Sequence, residues 1–369
     1  MTQIASRRSG HRLAVPFRPV HDAGRMASRP PSIADVARDP RWLAHRYDPG
    51  HDAVHFRVTP REAHRGATFI TDDYLPPVDA PIVLRRADAV AAAPEPAPIQ
   101  FIFHSAFCCS TLLARALDIE GTSMGLKEPM ILNDLSGWAH RGASARDVAQ
   151  VLNDALTLLA RPFAPGETSI VKPSNVANAM APAMLAMRPG ARALLLHAPL
   201  RDYLNSIARK GMDGRLWVRD LLVKLLKDRL IDLGFSGEDY LRHSDLQAAA
   251  VGWLAQHALF ARIIESHGTV RVRSLSSDLV TAQPRKVLEA LAKLFELSLD
   301  ERVLDMVVAG PAFTRHSKHD GEFGSSERLA QQRDAARLHG DEIEKVAIWA
   351  EAVAANAGVP MDLPAPLLG

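Results

Sequence analysis

The chain has only two cysteines in 369 residues, and they are adjacent, Cys108 and Cys109. Neighbouring thiols cannot staple distant parts of a fold, so a disulfide framework is excluded and a thiol-keeping cytoplasm is the expected setting. Vicinal cysteines can bind metals or sense oxidants; in the loop described below they read as small loop residues. No apolar run approaches the roughly 20 residues of a membrane span, and no signal-type apolar stretch follows the start. A soluble, unexported protein with no membrane partner is therefore expected. Nor does one sign of charge prevail: 44 basic and 42 acidic residues leave a net charge of +2, which gives no general nucleic-acid surface. His45, His51, His55 and His64 fall on different predicted elements without ligand spacing, so no metal is expected.

What is present is enough apolar residue, 47%, to bury a substantial core. Residues 1–31 carry six arginines against one acid and read as a flexible basic arm. Residues 32–95 form an N-terminal α+β extension and linker. In it Ser32 caps a helix predicted through IADVARDPRWLAHRY, AVHFRVTP reads as a strand, and a second helix starts near Pro60. The Pro- and Ala-rich DDYLPPVDAPIVLRRADAVAAAPEPAPI reads as the linker. Residues 96–320 alternate strand-like and helix-like segments, which predicts a three-layer α/β, P-loop-like domain whose mostly parallel central sheet is flanked by helices. Residues 321–369 form a C-terminal helical segment that packs over the domain or a partner subunit, leaving a homo-oligomer open.

The chemistry concentrates in PIQFIFHSAFCCSTLLARALD, where an apolar strand breaks into a small-residue loop and then a helix. Backbone amides at such a helix start, with the Ser110 and Thr111 hydroxyls, suit a phosphate or sulfate. Cys108 and Cys109 stand where a G-x-x-x-x-G-K-[ST] loop has its Gly-Lys pair, so the loop is P-loop-like without being a P-loop. Lys172 to Asn175 leave the strand TSIVK at the carboxyl end of the sheet, where loops of a parallel sheet converge on one crevice. Glu128, His104 and His140 are candidates for a base. Glu128 leads because Lys127 beside it can fix its orientation and depress its pKa.

In order, these segments resemble the sulfotransferase family, P-loop-related enzymes whose donor is PAPS. CCSTLL (Cys108 to Leu113) occupies the place of the R-S-G-[ST]-[ST]-L-L loop that binds the 5′-phosphosulfate. VKPSN (Val171 to Asn175) and LLLHAPLRDYLNSI (Leu194 to Ile207) match the later K-x-P-x-N and R-x-P-R-D-then-Ser patterns, and SLSSDLVTAQPRKVLEALAKLFEL resembles the Y-E-D-L strand and helix. The resemblance spans residues 98–318. It implies sulfuryl transfer from PAPS to a hydroxyl or amine of a small molecule or glycan. By the same resemblance Ser105, Cys108, Cys109, Ser110, Thr111, Leu112, Lys172, His197, Arg201, Ser206, Arg315 and Lys318 bind the donor; Glu128, His104 and Lys127, from their places at the strand exits, are the residues expected to serve catalysis. Two departures stand out. The loop's basic residue falls at Phe107, and the arginine that grips the 3′-phosphate falls at Ala198, flanked by His197 and Arg201. A degenerate, non-catalytic nucleotide or partner binder and a P-loop kinase are therefore the alternative readings.

Overall fold

The computed structural model describes residues 30–78, 80–314 and 325–368, the side chains of 325–337 excepted. Most of the basic arm, and both Arg315 and Lys318, lie outside the described residues. Ser32 caps its helix as expected: its hydroxyl accepts the Asp35 N–H while the Asp35 carboxylate accepts the Ser32 N–H. That helix is only Ile33–Arg38, however. Pro40 disfavours helical backbone at Asp39, and residues 42–47, expected to be helical, instead belong to strand β1 (Trp42–Asp48). It pairs antiparallel with β2 (Ala53–Val58), with a bulge between Ala44 and Arg46, and β2 pairs with β3 (Ile82–Arg85). β3 and the helix Arg86–Ala92 lie inside the stretch expected to be linker. Three aliphatic residues, Ile82 to Leu84, suffice for an edge strand because β2 supplies its partner.

Five further strands form the central sheet: β4 (Ile99–His104), β5 (Ser123–Lys127), β6 (Thr168–Lys172), β7 (Ala193–His197) and β8 (Val272–Ser276). All pairings are parallel, in the order β5-β6-β4-β7-β8. The first strand in sequence thus lies at the centre, and the chain departs from it to opposite sides, the switch point at which α/β sheets open a crevice. β4 to β7 are buried along their whole length, as continuous apolar runs require when both faces are covered. Alternation divides the core accordingly. Phe101 and Phe103 pack in one cluster, their rings stacked at 5.4 Å, while Ile102 packs in the other. The helix Asp245–His267, capped by Ser244 and ended by Gly268 at φ 78°, is buried along most of its length against the sheet and its neighbours. No helix among the described residues is long and apolar enough to cross a membrane.

The extension is anchored by buried arginines. Arg161, 5% exposed, donates to the carbonyls of Leu158, Val36, Ala37 and Trp42 at 2.7 to 3.2 Å. Arg61 pairs with the fully buried Glu167 at 2.5 Å and with Asp118 at 3.2 Å.

Candidate active site

β4 ends at His104, and the next five residues make the loop. Ser105 N–H donates to Leu196 O at 3.1 Å and Ser105 Oγ accepts the Ala198 N–H at 3.2 Å, so the loop is tied to β7 at its first residue. Ala106, Phe107 and Cys109 then adopt φ of 71°, 52° and 60°. Left-handed backbone costs roughly 1–2 kcal/mol per non-glycine residue, and three such residues in four mark a loop held in shape by its surroundings. Consecutive amides in turned backbone of this kind line a concavity that suits an anion. The helix Ser110–Ala116 starts directly on Cys109, with no side chain capping it. Its seat depends on Gly125 in β5: a Cβ there would lie 2.4 Å from Ala114 O. Ser110 and Thr111 are buried at the helix start, and Leu112 is 1% exposed with its side chain in the core, so it has only its backbone to offer a ligand.

Three sheet strands bring their terminal charges together beside this loop. Lys172, fully buried at the end of β6, makes an ion pair with Glu128, and its Nζ lies 3.2 Å from His104 Nε2 and 5.3 Å from the Phe69 ring centre. His104 Nδ1 accepts the Ala106 N–H at 3.1 Å, and its Nε2 faces both Lys172 Nζ and, at 3.8 Å, Glu128 Oε1. His104 therefore links the loop to the Lys172–Glu128 pair rather than offering a free basic nitrogen. Glu128 is itself left-handed, φ 57°, which turns its carboxylate out of the line of β5.

The lysine that fixes Glu128 is Lys172, where the sequence reading had Lys127. In register, Lys127 lies beside Lys172, but its Nζ points to the extension and donates to Arg65 O at 3.0 Å. Burial, with Arg115 nearby, pulls its ammonium down from 10.5 to about 7.

The remaining candidates scatter. Arg201, expected at the donor, is engaged by Glu344 and Glu351 of the C-terminal helix Ser325–Ala357 at 2.7 to 2.8 Å. His197 is buried edge-on to His257 at 4.9 Å, and burial holds it near pKa 4, hence neutral. Ser206 lies half-buried on the helix Leu200–Ala208. His140 lies 2.6 Å from Asp228 Oδ1, joined to the end of another helix, Gly211–Lys227. Phe107 packs edge-on against Trp217 (5.3 Å) and Tyr203 (5.9 Å), with Lys210 Nζ 5.8 Å from its ring centre. Both cysteines are free thiols, Cys108 buried and Cys109 partly so.

Sequence reasoning missed Asn178, whose amide donates to His104 O at 2.9 Å and to Gln256 Oε1 at 3.1 Å. The polar exit of β6 pointed to this segment but not to this residue. It also missed Phe69, for which no pattern in the extension signals a place at the sheet.

No family model matches the sequence, and no curated protein matches it. Among solved structures, the chain is similar to the sulfotransferase STF9 from Mycobacterium avium, at 13% identity and TM-score 0.41 over 69% of this chain and 78% of that one. It is also similar to the sulfotransferase domain of the curacin biosynthetic pathway, at 14% identity and TM-score 0.40 over 74% and 100%. A third similar structure is the sulfotransferase domain of the Synechococcus PCC 7002 olefin synthase, at 16% identity and TM-score 0.37 over 60% and 80%. The chain has an α/β fold with a 2-3-1-4-5 parallel sheet and a loop of left-handed residues after the central strand.

Proposed function

We propose that this protein transfers a sulfuryl group from PAPS to a hydroxyl or amine acceptor. The observation that carries the reading is the convergence of the left-handed loop after β4 with the Glu128–Lys172–His104 cluster at the ends of β5, β6 and β4. The residues present fit such a donor. The loop amides with Ser110 and Thr111 suit its phosphosulfate, and Lys172 is a cation at the same sheet edge. In the reaction the acceptor oxygen or nitrogen bonds to sulfur as the bond from sulfur to the bridging phosphate oxygen breaks. The acceptor's proton passes to Glu128, and adenosine 3′,5′-bisphosphate leaves. Lys172 orients Glu128, and His104 keeps the loop in register with both. Positioning and charge stabilisation account for most of the catalysis in such group transfers.

Binding without turnover is the second reading, favoured by Phe107, an aromatic ring packed against Trp217 and Tyr203 where the resembled loop carries a basic residue, with Lys210 Nζ 5.8 Å from its ring centre. Incubation with PAPS and a panel of hydroxyl and amine acceptors, with chromatography of the released bisphosphate, separates the two. Acceptor-dependent release is expected, reduced about 10²- to 10⁴-fold in Glu128→Gln. Bisphosphate binding with no release from any acceptor supports the second reading, and consumption of ATP with Mg²⁺ instead points to a kinase.

A further inference from the structure

The helix Gly211–Lys227 is apolar on two opposite faces, and the chain covers one of them. Gly214, Val218, Leu221, Leu222 and Leu225 are buried, the helix lying against the helices Asp245–His267 and Leu200–Ala208. The seat is close: a Cβ on Gly214 would lie 2.6 Å from Ile207 O. On the other side Met212, Leu216, Val223 and Leu226 are 37 to 67% exposed. At 3.6 residues per turn these positions, i, i+4, i+11 and i+14, fall in one narrow stripe along a helix about 25 Å long. Arg219 falls in the middle of the stripe but is held by its own chain, donating to Asp245 at 2.5 Å and to His243 O at 2.7 Å. A surface helix ordinarily sets polar residues opposite its core, so an outward apolar stripe marks a contact surface.

The charges beside the stripe decide what fits it. Asp213, Asp220, Lys224 and Lys227 are exposed along one flank, the first acid near the helix start and the bases at its end. A membrane surface calls for a flank rich in Lys and Arg, which this mixture is not. Reversed end to end, however, the pattern complements itself. About a two-fold axis beside Asp220, Leu216 of one copy comes opposite Val223 of the second, Met212 opposite Leu226, and Asp213 opposite Lys227, each contact occurring twice. Self-complementarity of a single patch is what a two-fold dimer requires. The Arg215–Glu342 ion pair, at 3.1 Å, sets alongside this helix the turn of the C-terminal helix that carries exposed Leu338, which widens the contact. We propose that the stripe is covered by a second copy of this chain, docked antiparallel through the helix Gly211–Lys227. The dimer is independent of the sulfuryl-transfer reading. Its one repulsive contact is Asp220, which meets its own counterpart at the axis.

Sedimentation equilibrium of the full chain between about 1 and 100 µM tests this, since an interface at the small end of the range should give a micromolar Kd. The wild type is expected to approach twice the chain mass, and Leu216→Glu to weaken the dimer at least about tenfold. Asp213→Lys and Lys227→Asp should each weaken it about tenfold through two symmetric ion pairs, and the double variant should recover most of the loss. Asp220→Asn should tighten it. If Leu216→Glu fails to fold, the charge variants, which alter exposed side chains alone, carry the test. A wild type that stays monomeric at 100 µM, a dimer indifferent to Leu216→Glu, or a double variant no better than either single one overturns the proposal. A monomer that partitions onto vesicles of anionic phospholipid would overturn it in favour of a membrane surface.

Discussion

At the scale of single residues, the two lysines at the sheet edge have opposite electrostatic situations. Lys172 has a carboxylate partner, so its burial is compensated. Removing it as Lys172→Met strands Glu128 and should lower stability by about 3 kcal/mol, the scale for breaking a buried ion pair, with turnover lost as well. Urea unfolding with unchanged stability would contradict the ion pair. Lys127 has only a carbonyl, and burial depresses its pKa from 10.5 to about 7. Between those pH values the unfolded chain binds this proton and the folded chain does not, so stability rises with pH across that window. Below pH 7 both states are protonated and the whole penalty is present. Lys127→Met should therefore be more stable than the wild type at pH 6, and the gap should close as pH rises towards 10. A gap in melting temperature that stays constant from pH 6 to 10 would contradict this account.

At the scale of elements, the loop after β4 obtains its shape from its neighbours rather than from glycine. Cys109→Gly, which frees a position at φ 60°, should raise stability by about 1 kcal/mol; a lower urea midpoint would show that the loop is not strained. Gly125→Ala should act in the opposite sense. Its Cβ would meet Ala114 O, so the helix carrying Ser110 and Thr111 must shift, at about 1–3 kcal/mol. Bisphosphate binding should weaken with it, and binding unaffected by the shift would argue against the loop as the donor site. The strand–loop–helix unit was legible because a buried apolar run, small residues and Ser-Thr follow each other in one local stretch. The partner of Glu128 was not, because it depends on β5 lying beside β6, which places Lys172 next to Lys127 across 45 residues of chain. Propensity similarly could not show that WLAHRY, helical in its composition, becomes β1 once Pro40 stops the helix and β2 offers a ladder. Arg201 looked like an anion ligand because the glutamates that engage it lie more than 140 residues away.

At the scale of the whole molecule, the N-terminal extension is joined to the sheet domain by buried polar contacts rather than hung on it as an appendage. Arg61→Ala leaves the fully buried Glu167 without its partner and should lower stability by about 3–5 kcal/mol. A loss below 1 kcal/mol in denaturant unfolding would show that the extension is only loosely attached. The account as a whole stands on the donor site. The most direct measurement is thermal unfolding of the full chain with adenosine 3′,5′-bisphosphate, compared with ATP and Mg²⁺ and with no nucleotide. At a hundredfold excess over its Kd, the bisphosphate should add about 2.7 kcal/mol of stability and raise the melting temperature by several degrees. ATP and Mg²⁺ should add less. No rise with the bisphosphate, or a larger rise with ATP and Mg²⁺, would contradict the assignment of the loop and Lys172 to a PAPS-type donor.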